Sequence, residues 1–296
     1  MASDARTASL LRLMPAVFVL IWSTGFIVAR FGMPHAPPMK FLALRYAFSA
    51  LCFGAWVLAA GVRWPQGPKQ WLHLGVTGIF MHGIYLGGVW SAVKLGMGAG
   101  LAALLVGLQP MLTAIWVSAR GHRVTALQWG GLALGLAGLM MVVWQKLGHG
   151  EVNGANLACT MLALVGITVG TLYQKHFVAP CDVRSANLVQ LLAALAVTAP
   201  LALMETEGVS VTPEFLGALA WSVLGLTLGG SSLLYLLIQR GAATQVTSLM
   251  YLVPPTTALM AWVLFGEAIT PLIVAGIALT AVGVSVVVRP SPKRQA

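Results

Sequence analysis

The chain has 296 residues, of which 58% are hydrophobic and 8% charged, with a mean hydropathy of +0.88; about a quarter of residues are charged in a soluble domain, so that class is excluded. A net charge of +10 suggests a nucleic-acid partner, but the 17 basic residues sit singly in short connectors without a stripe or an aromatic-interleaved cluster, which excludes it. The composition is that of a polytopic membrane protein whose immediate partner is the lipid bilayer.

A transmembrane helix needs about 20 predominantly apolar residues. Ten such segments are predicted, at 14–33, 39–60, 70–93, 98–118, 126–145, 154–177, 185–204, 214–238, 243–264 and 270–288. Arg6 and Arg12 precede the first, as in a signal peptide, but no small-residue cleavage site follows, so the segment is read as a retained helix. It carries WSTGF, in which Trp22 and Phe26 frame Ser23, Thr24 and Gly25. Trp22, Ser23 and Phe26 are candidate substrate contacts, with ordinary bundle packing as the alternative.

The third helix holds His82, Tyr85 and Trp90. His82 is the mid-span group that titrates near neutral pH; it bonds a substrate carboxylate, carries a proton, or is a core histidine donating to a carbonyl. The fourth holds Gln109 beside Pro110, the sixth Thr168 and Tyr173, the eighth Ser231, Ser232 and Tyr235, and the ninth Gln245, Ser248, Tyr251 and Pro255. These polar groups are candidate substrate contacts, and each has the alternative of a bond satisfied across a helix interface. Pro110 and Pro255 remove a backbone donor and clash with the preceding turn, so both kink their helices. They are read as paired hinges or cavity walls, against static kinks that serve packing. Trp64, Trp71, Trp129, Trp144 and Trp221 are expected in the interfacial belt, with Trp90 and Trp116 deeper.

Arg30, Arg45, Lys94 and Glu267 fall near span ends, from which they reach the interface, and no carboxylate lies at a midplane. That argues against a relay built on Asp or Glu, and against strongly charged substrates, which call for buried Arg or Lys partners. With the N-terminus inside, 12 of the 17 basic residues face the cytoplasm, so both termini of this ten-span chain are expected there.

Displaced by 145 residues, the chain pairs Gly25 with Gly170, Gly96 with Gly241, Pro110 with Pro255, Gly131 with Gly276 and Gly138 with Gly283. Each copy, 1–148 and 149–296, then holds five spans, an odd number, so the second is inverted in the membrane, an architecture of secondary transporters with a midplane site and alternating access. Gly83 with Gly87, Gly96 with Gly100, Gly131 with Gly135, Gly166 with Gly170 and Gly225 with Gly229 are read as helix-packing pairs.

Cys52, Cys159 and Cys181 show no disulfide or zinc spacing and are read as packing residues, and no cofactor or metal is indicated. HExxH, GxSxG and an Asp pair are all missing, so an intramembrane enzyme is a remote alternative.

WSTGF, Arg45, the proline of each fourth helix and GEAITPLIVAGIALTAVGV from Gly266 to Val284 resemble the EamA-type drug/metabolite transporters, over essentially the whole chain. The family's Gly-Glu, Thr and glycine-punctuated last helix match at Gly266, Glu267 and Thr270; in the first copy Gly121 and Thr125 match, but His122 replaces the acid. The resemblance implies an all-α protein of ten transmembrane helices around a central cavity in the bacterial inner membrane. It also implies export of aromatic and other neutral amino acids or similar amphipathic metabolites, with a drug, xenobiotic or sugar-type carrier as the alternative and no obligatory protein partner.

Overall fold

The computed structural model describes residues 2–120, 125–148, 150–230, 233 and 252–288. Among these every regular element is helical, the form in which a segment satisfies all its own backbone groups in hydrocarbon. The helices are α1 (Ala2–Gly32), α2 (Pro38–Ala59), α3 (Gly67–Gly78), α4 (Tyr85–Lys94), α5 (Ala99–Val106), α6 (Gln109–Ala119), α7 (Ala126–Gly148), α8 (Gly154–Phe177), α9 (Val183–Met204), α10 (Pro213–Ala220), α11 (Val253–Phe265) and α12 (Pro271–Val288). Six stretches are long and apolar enough to cross a bilayer, and the shorter Ala16–Gly32, Val253–Phe265 and Pro271–Val286 fall on other expected spans.

The helix bounds follow the displacement of 145 residues. Pro38–Ala59 becomes Val183–Met204, the end of α1 at Gly32 becomes the end of α8 at Phe177, and the start of α7 at Ala126 becomes the start of α12 at Pro271. Two wide, π-helical stretches obey it as well. Ile79–Ile84 joins α3 to α4, and Trp221–Gly230 continues α10; displaced by 145, the first falls inside the second. Such widened turns free backbone groups and recur at functional sites.

The prolines act one step earlier than a mid-helix kink. The fourth span is interrupted at Gly107–Leu108, and Pro110 sits in the first turn of α6, where its missing donor is not needed. Pro254 and Pro255 likewise sit in the first turn of α11. The two interruptions touch, because a Cβ on Gly107 would come within 2.9 Å of Pro254 Cγ.

The most extensive helix pairing joins α7 to α12. Gly131 faces Gly283, whose carbonyl oxygen is 2.8 Å from where a Gly131 Cβ would stand, and Gly138 faces the Gly276 carbonyl. Between them Thr280 Oγ1 donates to the Gly135 carbonyl at 3.3 Å. The helices are therefore antiparallel. Displacement by 145 exchanges the two outer contacts and maps Gly135 onto Thr280, which is the behaviour of a two-fold axis crossing the seam. Gly166 and Gly170 similarly admit Ile84 and Met81 of the third span. Gly96, by contrast, lies in a turn at φ 94, so Gly96 and Gly100 do not form the expected helix face.

Carboxylates tie one end of the bundle. The Ala99 N–H, opening α5, donates to Glu267 Oε1 at 2.8 Å, and the Met39 and Lys40 N–H groups, opening α2, donate to Glu205 at 2.9 and 2.8 Å. Lys94 pairs with Glu207 at 2.6 Å and Lys146 with Glu151 at 2.7 Å. A negative cap satisfies orphan donors and complements the helix dipole. Glu267→Ala is expected to lower stability by about 0.5–2 kcal/mol, read as a lower melting temperature in detergent, whereas an unchanged melt removes the cap from the argument.

Trp64, Trp71, Trp129, Trp144 and Trp221 are all on the outer surface, in line with an interfacial belt. Trp116 is also exposed, with the Arg120 guanidinium 4.7 Å above its ring, close to the end of α6. The expectation of a deeper position is corrected: Trp116 faces outward within a turn of the end of α6 at Ala119.

Candidate functional site

A cavity of about 110 Å³ lies among α1, α2, the third span, α8 and the second π-helical stretch. From α1 come Trp22, Gly25 and Phe26, at the spacing that shares one helix face. The third span contributes Met81, His82, Tyr85, Leu86, Val89 and Trp90, a stripe of helical period. Arg45, Ile167, Leu226 and Thr227 complete the lining.

The walls are aromatic and rigid. Trp90, 1% exposed, stacks on Phe41 with centroids 4.3 Å apart, and Phe41 meets the edge of Phe215 at 5.6 Å. Phe18 lies 5.3 Å from Trp22. Tyr46, fully buried on α2, donates its hydroxyl to the His82 carbonyl at 2.7 Å and meets the His82 ring edge-on at 5.9 Å.

Among the described residues one cation stands in this lining. Arg45 is 8% exposed, and its Nε and Nη2 donate to Thr227 Oγ1 at 3.3 and 3.2 Å. Thr227 in turn donates to the Ser222 carbonyl, five residues back, at 2.8 Å. The expectation that Arg45 reaches the interface is corrected. It lies about two turns inside α2 and turns inward onto the second π-helical stretch. The other residues expected at span ends are there: Lys94 pairs with Glu207, Arg30 lies 6.0 Å from the Phe265 ring centroid, and Glu267 caps α5.

The lining repeats at the displacement of 145. Trp22 and Ile167, Met81 and Leu226, and His82 and Thr227 form three such pairs. The counterpart of Arg45 is Gln190 on α9, which packs against the first π-helical stretch, the one that bears His82. The pairings of position 45 with 227 and of 190 with 82 are thus one arrangement occurring twice.

Of the sequence candidates, Trp22, Phe26, His82, Tyr85 and Trp90 meet in this cavity. Ser23 is buried behind it, its hydroxyl 3.5 Å from the Val253 carbonyl, tying α1 to α11. Thr168 donates to the Leu164 carbonyl of its own helix at 2.6 Å, and Gln109 donates to Thr171 Oγ1 at 2.9 Å; neither lines this cavity. Tyr173 lies near the end of α8 with its hydroxyl 2.7 Å from His73 Nδ1, away from the cavity. The lining of the cavity includes neither Pro110 nor Pro255. Ser231, Tyr235, Gln245, Ser248 and Tyr251 lie outside the described residues.

Arg45, Met81, Leu226 and Thr227 were missed as candidates. For Met81 and Leu226 nothing in residue type marks them. Thr227 carried a signal, because it stands 145 residues after His82.

The model of the EamA-like transporter family matches twice, over residues 12–144 and 155–289. The chain is 26% identical over 270 residues to a protein of Escherichia coli (strain K12) named "Uncharacterized inner membrane transporter YedA", covering 90% of this chain and 87% of that one. It is 26% identical over 280 residues to a "Probable amino-acid metabolite efflux pump" of Salmonella typhimurium (strain LT2), covering 90% of each. A solved crystal structure superposes with a TM-score of 0.64 over 95% of this chain and 97% of the other at 23% identity, a likeness of fold.

Proposed function

Because the chain belongs to the EamA-like transporter family and is a multi-pass protein of the inner membrane, we propose that it exports aromatic and other neutral amino acids, or similar amphipathic metabolites, by alternating access. In this reading ten helices form two inverted copies, 1–148 and 149–296, with both termini cytoplasmic, and Pro110 and Pro255 are the hinges of the halves. The helix bounds and the antiparallel seam of α7 and α12, which both follow the displacement of 145, support it. A repeat of this kind places its site between the copies.

The observation that carries the substrate class is the lining itself. Among the described residues it combines aromatic walls with one guanidinium and holds no carboxylate, which suits a molecule with an apolar body and a small polar head. Purified protein in proteoliposomes is expected to move labelled phenylalanine and leucine above empty vesicles; transport of no amino acid overturns the reading.

A second reading, a carrier of phosphorylated or sugar-type metabolites, gains from Arg45, since a buried cation is what such substrates call for. A single guanidinium among rings matches one negative charge better than a phosphate dianion. Inhibition of transport by sugar phosphates, without inhibition by amino acids, would favour the second reading. His82→Ala is expected to raise the KM for a transported amino acid about 5-fold, the scale of one hydrogen bond near 1 kcal/mol. If KM stays unchanged, His82 belongs to the core.

A further inference from the structure

Resting on the transport reading, we infer that Arg45 is the anchor for a single substrate carboxylate, and that the carboxylate, not the amine, is the charged feature the site requires. The guanidinium has five N–H donors in a planar fork. Among the described residues its acceptor is one hydroxyl oxygen, shared by Nε and Nη2, and no carboxylate pairs with it. Arg45 borders the cavity, and a neutral hydroxyl is a weaker acceptor for its charge than an ionised oxygen. The fork matches the two oxygens of a carboxylate and binds them more strongly than a hydroxyl.

The two-fold relation sets the number of charges. The Arg45 and Gln190 stations are equivalent by position, yet one is a cation and the other a neutral amide. The site therefore matches one negative charge, with the apolar body of the substrate between Trp22, Phe26, Tyr85 and Trp90. Among the described residues no carboxylate lines the cavity, and the sequence from 231 to 251 contains neither Asp nor Glu. An ammonium group meets ring faces there, by cation–π attraction, and is not a condition of binding.

Calorimetric titration of the purified full chain with L-phenylalanine, 3-phenylpropionate and L-phenylalaninamide tests this. The two acids are expected to bind within about 10-fold of each other, and the amide, which lacks the carboxylate, at least about 30-fold more weakly, the ratio expected for a charge-assisted bond. Arg45→Gln is expected to abolish the preference for acid over amide. Thr227→Val, which removes the hydroxyl but leaves the guanidinium, retains that preference whatever it does to absolute affinity. Should Arg45→Gln fail to fold, the wild-type series and Thr227→Val still decide. Equal binding of acid and amide by the wild type, or loss of the preference in Thr227→Val, overturns the anchor while leaving transport of amino acids standing. Binding of none of the three ligands overturns the amino-acid reading, and the anchor with it.

Discussion

Gly283→Leu is expected to yield almost no folded protein after detergent extraction. A Cβ at this position would meet the Gly135 amide nitrogen, with the Gly131 carbonyl at 2.5 Å, so what obstructs it is backbone on the facing helix. Overpacking against side chains, which can change rotamer, costs about 1–3 kcal/mol. Here the helices themselves must separate, and the loss is expected above about 3 kcal/mol. Gly138→Leu, the counterpart 145 residues earlier, is expected to fail equally, because its Cβ would run into the Gly276 carbonyl. Gly130→Leu is the control on the same helix, where an added Cβ meets nothing within 4 Å; its melting temperature is expected at or above that of the wild type, since leucine favours helix over glycine. A Gly283→Leu protein that melts within a few degrees of wild type shows that α7 and α12 are not packed as described.

Trp90→Ala is expected to cost about 3–5 kcal/mol, the range for deleting a buried large aromatic ring, and to change selectivity as well. The indole fills the space between Phe41 and the cavity. Its removal strips Phe41 of a stacking partner and enlarges the chamber. Thermal unfolding in detergent reads the first effect, with Leu203→Ala on the outer surface, 87% exposed, as a control expected near zero. The ratio of transport rates for tryptophan and valine reads the second, and is expected to rise toward the larger substrate. A stable Trp90→Ala protein with unaltered selectivity would mean that the ring neither supports α2 nor bounds the chamber.

The helices were legible because a bilayer leaves a segment few choices. The expected 154–177 is α8 to the residue, and 39–60 and 185–204 fall within two residues of α2 and α9. The interruption at Gly107–Leu108 was less so: Pro110 announced a disturbance, but its position in the first turn of a new helix depends on the neighbour, Pro254, that Gly107 admits. In the site, the aromatic stripe of the third span was readable from its period. Arg45 was misjudged because the direction of a long side chain is not written in its distance from a span end. It is set by which helix faces it, here the stretch bearing Thr227. The displacement of 145 held that information in latent form, since it carries His82 onto Thr227 and Arg45 onto Gln190.

Two halves exchanged by a perfect half-turn give inward- and outward-open shapes of identical energy, so an empty carrier of that kind rests in either with equal probability. In the proposed reading of this chain, preference then comes from the places where the two copies differ. Arg45 against Gln190 is one, and Glu267, which seals α5 at one mouth, against His122 is another. Such mismatches are weights on an otherwise level balance, and exchanging them between the halves is the direct way to reverse the resting orientation.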